Sequence, residues 1–453
     1  YLTISQMSYD FNCSLMNKDD TAELPQDRAV YDMIDKTIYG GRTTPIKLRF
    51  SNEYLKNRFI KCKGNQSKLK KLIKKIVKKR KEFESRIEAG EDWDELVYEY
   101  KKWEYLIPFD VKSLYPTTYS KPFPAGKGKM MTGDEFWANR HMLMSQKGNV
   151  YKRMYLDTNR KLKYEKGTYA WGIYEVDIIN IPKHILPLLP QKDEITEGTV
   201  WDLKPRKSQM YNTIDLEEAE RVGYKFVIKR AFVYKMAKCL LNDFVQKVYA
   251  IKKEQDMFKN SDDPALKAKY NPAKRMTIKI MLNSLYGKMI QRPVLESSVI
   301  IDSFESSVDF HKKYDWSGFE LVGDDKILMT GLIKDFEGVC SKPVQVGSFI
   351  LSYSRVIMRE YMDMVDEYRW IDNVKSMKRS FYYTDTDCIW ISSFQRYLLA
   401  HRIGEELGDV EDELEGGICY DTYFICPKVY LASYYIDYGD KVVKKTKMRA
   451  KGH

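Results

Sequence analysis

The residues able to do chemistry fall in three short stretches. "FYYTDTDCIW" (Phe381 to Trp390) sets Asp385 and Asp387 among aromatic and apolar neighbours, with Thr386 between them. "YLIPFDVKSLYP" runs apolar up to Asp110, then passes through Val111, Ser113, Leu114 and Tyr115 to Pro116. "KRMTIKIMLNSLYG" carries Lys279, Asn283, Tyr286 and Gly287. A carboxylate in apolar surroundings is costly unless something positive offsets it. Read as one strand, period-two alternation puts Asp385 and Asp387 on the same face. Acids gathered in this way stay ionised only around cations, and hard oxygen donors select Mg²⁺ or Mn²⁺ over zinc. Two such ions about 4 Å apart stabilise both the attacking and the leaving oxygen of a phosphoryl transfer. Two Mg²⁺ ions are therefore the expected cofactor, with Mn²⁺ as a substitute.

The third stretch supplies the complement. Lys279, Asn283 and the pair Tyr286 and Gly287 recur at i, i+4 and i+7/i+8, which places them on one helical face. A lysine there neutralises phosphate oxygens, and an amide and a ring can touch a base pair. Gly287 allows a nucleic-acid backbone to come close. Lys252, on an opposing helix, adds a second positive charge. Each piece also has a plain structural reading: a turn edge, a strand-to-helix turn, an exposed flank of a core helix. Their order and matching chemistry outweigh those readings.

Elements must bring these stretches together. "KLKKLIKKIVKKRKEFESRI" has helical spacing through Leu69, Leu72, Ile73, Ile76, Val77, Phe83 and Ile87. Gly90 ends that helix and Asp92 caps a second one, which predicts a lysine-coated hairpin. Its outer face reads equally as a solvated surface or a nucleic-acid contact. "WGIYEVDIINIP" predicts a strand and "DLEEAERVGYKF" a helix closed by Gly223. "KMAKCLLNDFVQKVYAIKKEQDMF" and "AKRMTIKIMLNSLYGKM" predict two long helices around a polar tip. "SFILSYSRVIMREYMDMV" predicts a further amphipathic helix before the aspartate strand. Strands interleaved irregularly with helices indicate an α+β body.

The chain has 453 residues, 43% hydrophobic and 13% aromatic, enough for two or three domains or one large multi-lobed body. Its 76 basic against 64 acidic residues, net +12, suit a polyanion, or simply a solvated basic surface. The seven cysteines form no C-x-x-C pair, which argues against zinc ribbons and a disulfide framework and for a reducing compartment. No apolar run approaches a membrane span and no secretory signal opens the chain, so the expectation is a soluble, intracellular protein without a membrane partner.

The order of the motifs resembles that of family B DNA polymerases. "DVKSLYP" looks like their first palm motif, "KIMLNSLYG" like the fingers motif, and "YTDTD" like the second palm motif; "KVY" (Lys428 to Tyr430) is similar to the element that grips the primer. Segment 180–236 resembles, more loosely, the insertion that holds a priming terminal protein, which points to the protein-primed branch of phages, adenovirus-like viruses and linear plasmids. The resemblance implies a right-hand fold with an antiparallel-sheet palm, helical-hairpin fingers and an incomplete thumb. It divides the chain into 1–50 (N-terminal linker with a template-contacting Gly motif), 51–104 (basic helical-hairpin insertion), 105–180 (palm), 181–236 (terminal-protein-region-like insertion), 237–290 (fingers), 291–435 (palm) and 436–453 (start of the thumb). It implies that Asp110 and Asp387 bind metal with help from the Val111 carbonyl, and that Asp385 is a weaker ligand or electrostatic support. Ser113, Leu114, Lys252 and Lys279 would face the triphosphate, Tyr115 the sugar, and Asn283 and Tyr286 the base pair. Gly287, Thr386, Lys428 and Tyr430 would meet template or primer, as would Tyr39, Gly40, Gly41 and Arg42, an imperfect match to a Y-x-G-G element. The partners implied are primer–template DNA, deoxynucleoside triphosphates and a terminal protein.

The pattern also breaks. No early D-x-E of a proofreading exonuclease precedes Tyr39, so the expectation is a chain that begins after that domain or an enzyme without one. A rival reading is a catalytically inactive, polymerase-derived DNA-binding module. Intact Asp110, Asp387, Lys279 and Tyr115 speak against it, because a pure binder needs no metal ligands. A lysine-rich structural protein of a nucleoprotein particle explains the charge but not the ordered motifs.

Overall fold

The computed structural model describes residues 3–16, 22–145, 151–156, 162–182, 186–193, 195, 198–323, 326–365 and 381–451. Six residues of the segment 181–236, namely 183–185, 194, 196 and 197, therefore lie outside the described residues. Two compact units form: residues 1–39 with 118–352, and residues 40–117 with 353–453.

The second unit is built on a nine-stranded antiparallel sheet. Thr43–Pro45, Tyr383–Asp385, Cys388–Ser392, Leu106–Val111, Ile418–Cys426, Val429–Asp437 and Val442–Ala450 follow one another across it. Val410–Asp412 pairs with Leu106–Val111, and Arg49–Ser51 with Ile418–Cys426. One face is closed by an aromatic cluster in which Tyr383 stacks on Phe424 at 5.0 Å while Trp390 and Tyr430 meet at 5.3 Å. Burying rings of this size dominates core energetics, so the acid-bearing strand ends stand on a rigid base.

Three helices stand here rather than a simple hairpin: Glu53–Cys62 and Gln66–Glu88 contact this sheet, and Trp93–Tyr100 packs on Gln66–Glu88. Asp92 caps the third by accepting from the Asp94 and Glu95 amides. Gly90, at φ 90°, turns the chain between the second and third in the left-handed region that glycine enters freely. Phe59 stacks on Tyr435 of the sheet at 4.2 Å, and Phe83 on Phe394 at 4.4 Å, in the 3-10 segment Ser393–Arg402 that follows the strand Cys388–Ser392.

The first unit holds a four-stranded antiparallel sheet in the order Gln209–Asn212, Gly172–Asn180, Lys225–Lys238 and Phe123–Thr132. The strand Lys225–Lys238 takes the start of the stretch expected to be helical, so the first of the two long helices is Asn242–Asn260. A short Pro264–Lys267 helix occupies the tip, and Pro272–Met289 returns. Glu296–Ile301, Ile327–Ile333 and Tyr314–Leu321 form a separate three-stranded sheet.

Candidate active site

The two aspartates do not share a strand. Asp385 ends Tyr383–Asp385 and pairs with Cys388, so Thr386 and Asp387 form a two-residue hairpin loop. Thr386 lies at φ 61° while Asp387 stays at negative φ, the sign pattern of a type II′ turn. The turn, not period-two alternation, brings both carboxylates to one place. Gly41 explains part of this geometry: a Cβ there would lie 2.9 Å from the Thr386 Cα, and the Thr386 amide donates to the Arg42 carbonyl at 2.9 Å. Only a residue without a side chain lets the two backbones pack so closely.

Asp110 reaches the same place through sheet register. It pairs with Cys388, and the Val111 amide donates to the Asp387 carbonyl at 2.8 Å. Asp110, Asp385, Thr386, Asp387, Glu413, Lys428, Tyr430, Arg449 and Lys451 all line one cavity of about 270 Å³. Burial, then the neighbouring charges of Asp387, Glu413 and Glu411, push the Asp110 carboxyl up to about 8. Burial, then Asp385 and Glu413, push Asp387 up to about 6, against its own backbone amide and Lys428. These two acids are held where ionisation is disfavoured.

Asp385 is differently placed. Its Oδ1 accepts from Lys428 Nζ at 2.6 Å and from Thr43 Oγ1 at 2.9 Å. Lys428 itself sits at φ 63° in the tight turn before Val429, and its amide donates to the Tyr383 hydroxyl at 2.9 Å. Burial pushes the Tyr383 phenol up to about 12, which keeps that acceptor neutral. Ser113, just after Asp110, is also left-handed at φ 54°. Three non-glycine residues in this costly conformation thus lie in the turns around the acids, where stored backbone strain is a mark of function.

The donors fit a hard divalent cation. Among the described residues no three histidine, cysteine or acidic groups close into a metal cage. Mg²⁺ is bound through one or two carboxylates with water and substrate phosphates completing its shell, so an open pair of acids suits it. The raised carboxyls of Asp110 and Asp387 are the electrostatic counterpart, since an added cation reverses the cause of the shift.

Three further charged residues of the cavity, Glu413, Arg449 and Lys451, belong to none of the motifs. Glu413 accepts from the Cys388 thiol at 3.4 Å and pairs with Lys447 at 3.1 Å. Arg449 enters opposite Tyr430 by strand register, and Lys451 follows. The acidic "EDELE" and the basic "KMRAK" were the available hints. Val111, Ser113, Leu114 and Tyr115 do not line the cavity; Val111 and Leu114 are buried, and Ser113 and Tyr115 half-buried. Gly40 has open space around its Cα, whereas the Arg42 side chain is buried.

The helices Asn242–Asn260 and Pro272–Met289 belong to the other unit. On Pro272–Met289 the buried stripe is Ile278, Leu282, Leu285 and Met289. Lys279 and Gly287 are exposed, with Asn283 and Tyr286 half-buried, so the expected functional residues stand off the packed stripe. Lys252 pairs with Asp256 at 3.4 Å, and Asp256 also binds Arg275 at 2.5 Å. A residue that sequence reasoning missed fixes the phase of this helix. The buried Tyr119 hydroxyl donates to the Leu282 carbonyl at 3.0 Å and accepts from the Tyr286 amide at 3.3 Å, the two ends of one helical rung. Its ring lies 6.2 Å from Phe244 on the opposing helix. Tyr39, expected at the template, is instead a core ring 5.9 Å from Tyr211.

Residues 96–367 match the model of "DNA polymerase type B, organellar and viral". Uncharacterized protein 075R of invertebrate iridescent virus 3 is 31% identical over 147 residues, which cover 31% of this chain and 84% of that protein. A DNA polymerase of Kluyveromyces lactis is 30% identical over 201 residues, 41% of this chain but 18% of its own length. Among solved structures, phi29 DNA polymerase complexed with primer–template DNA and incoming nucleotide superposes with a TM-score of 0.54 at 14% identity, covering 100% of this chain and 60% of that one. The same polymerase with primer–template DNA alone gives 0.54 at 15% identity. The folds are alike, and this chain spans three-fifths of the phi29 chain's length. Among the described residues no helix is long and apolar enough to cross a membrane.

Proposed function

The chain belongs to the organellar and viral type B DNA polymerases, and from that premise we propose that it is a DNA-directed DNA polymerase that extends a primer 3′ hydroxyl with deoxynucleotides. The observation that carries this reading is the pair of half-buried acids, Asp110 and Asp387, which sheet register and a tight turn bring into one cavity and whose carboxyls are raised to about 8 and about 6. A binding module has no use for two carboxylates held in this state, whereas divalent-cation chemistry requires them.

Bound Mg²⁺, or Mn²⁺ in its place, would be held by Asp110 and Asp387 with the Val111 carbonyl, and would favour the alkoxide of the primer and neutralise the leaving pyrophosphate. Lys428 holds Asp385 in place and, with Tyr430, steadies the primer terminus. Lys279 and Lys252 take phosphate charge, Asn283 and Tyr286 meet the nascent base pair, and Gly287 clears the template. Ser113 and Leu114 offer backbone to the triphosphate. Tyr115 excludes a 2′ hydroxyl by shape. Gly40 and Thr386 belong to the DNA-facing set in this reading, while Gly41 and Arg42 support the acid turn. The DNA and nucleotide partners are supported by the phi29 complexes that share the fold.

Protein priming is the form we propose for initiation, on the viral character of the family and the segment 181–236. Transfer of labelled nucleotide to a protein hydroxyl tests it; strict dependence on a nucleic-acid primer contradicts it. The polymerase reading itself is tested by primer extension with Mg²⁺ and four deoxynucleotides. Asp387→Asn loses extension by at least about a thousandfold and still binds DNA; equal activity in both proteins refutes the assignment.

A further inference from the structure

The positive charge of this protein is not spread over it. Residues 54–81 contain 11 lysines and two arginines and no acid, while the rest of the chain has 63 basic against 64 acidic residues. The net charge of +12 therefore comes from the two helices Glu53–Cys62 and Gln66–Glu88, chiefly the second. Averaged over the remainder, the protein is close to neutral.

The helix sorts its residues by angle. Leu69, Leu72, Ile73, Ile76, Arg80 and Phe83 are buried and span an arc of about 100° at 3.6 residues per turn. Lys68, Lys71, Lys74, Lys75, Lys78 and Lys81 are exposed and span about 140° on the opposite side. Some basic groups of the segment are spent on structure. Lys70 donates to the Gly439 and Asp440 carbonyls, Lys79 pairs with Glu82, Arg80 with Glu84, and Lys75 lies over the Trp103 ring. Lys68, Lys71, Lys74 and Lys81 make no ion pair among the described residues. A stabilising surface would intersperse acids at i+3 or i+4; across 28 residues this one has none.

We propose that this lysine face is a second, sequence-independent binding surface for duplex DNA, separate in its residues from the acid cavity. It follows the DNA-polymerase reading for its choice of polyanion. Lys68 to Lys81 extends about 20 Å along the helix axis, and duplex DNA presents about one negative charge per 1.7 Å of its own axis. The partner is recognised by phosphate charge and not by base edges, because lysine stems without an amide or arginine fork between them carry no base code. Tethering duplex in this way raises the effective concentration of template at the cavity of the same unit.

Fluorescence anisotropy with an unrelated duplex, across about 50 to 200 mM salt, tests this on the full chain. In the variant Lys68→Gln/Lys71→Gln/Lys74→Gln/Lys81→Gln, the slope of log affinity against log salt becomes shallower by about 3 to 4. Affinity at the low-salt end falls at least about tenfold. The same four positions changed to arginine keep the wild-type slope, which separates lost charge from lost fold. Primer extension at saturating primer–template stays at the wild-type rate in the glutamine variant. An unchanged slope overturns the inference, as does loss of binding to anionic phospholipid vesicles with duplex binding intact. A wild-type protein that fails to extend primers but shows the slope difference overturns the polymerase reading and leaves the binding surface standing.

Discussion

The acid turn at Thr386 and the helix Pro272–Met289 hold their candidate residues by opposite means. Around the turn, charge is drawn half out of water: Asp110 and Asp387 line a cavity that disfavours their ionisation, while Asp385 is clamped by Lys428 and Thr43. On the helix, Lys279 is exposed and its position depends on the packed stripe beneath it and on one tyrosine hydroxyl. Buried like charges must be offset by a ligand or neutralised, so their arrangement speaks strongly for function. Exposed charge costs little and speaks weakly unless its position is otherwise fixed. Tyr119 supplies that fixing for the helix, as backbone register does for the turn.

The largest way to break the turn short of removing Asp110 or Asp387 is Lys428→Ala. This frees Asp385 Oδ1 from its 2.6 Å partner and adds an unbalanced negative charge beside Asp387. Single-turnover primer extension slows by about ten- to a hundredfold, since small misplacements at a reacting centre cost this much; an unaltered rate shows that the clamp is only structural.

A smaller effect is expected at the helix. Tyr119→Phe removes the hydroxyl shared by Leu282 and Tyr286 and leaves the ring against Phe244. The KM for deoxynucleotide rises by about three- to tenfold while kcat changes less than about twofold, the signature of lost ground-state positioning. Amide exchange at Tyr286 quickens. A fall in kcat with KM unchanged contradicts the role assigned to Tyr119.

Smallest is the effect of pH on the cation-free protein. Asp110 and Asp387 titrate higher in the folded chain than in the unfolded one, so between about pH 4 and pH 8 the folded state holds more protons. Their contribution to stability is fully present below the unfolded pKa and is lost as pH rises through the folded values. Melting temperature therefore falls by a few degrees across that window, and Asp110→Asn flattens the fall. Added Mg²⁺ raises it more at the upper end, because only the ionised acids bind it. A wild-type curve parallel to that of the variant contradicts the electrostatic picture.

Much of this was legible in the residues. The Asp110 strand and the helix Pro272–Met289 were legible as elements, because each motif is local and its chemistry is carried by side-chain type. The single-strand reading of Phe381 to Trp390 failed because Thr386 takes a left-handed φ without the glycine or asparagine that usually announces such a turn. Glu413, Arg449 and Lys451 were invisible because only sheet register brings them to Asp110. Tyr119 was missed because its partners are backbone groups, which leave no trace in residue identity. Tyr39 was placed at the template on motif spacing alone, and its burial against Tyr211 follows from packing that spacing does not encode.

Electron paramagnetic resonance of Mn²⁺, titrated into the protein with primer–template and deoxynucleotide at about pH 8, where both carboxylates can ionise, reports most directly on whether Asp110 and Asp387 form a cation site. The wild-type protein should immobilise Mn²⁺, and the Asp110→Asn/Asp387→Asn protein should lose that binding while retaining DNA. Equal Mn²⁺ binding by both proteins would contradict the account.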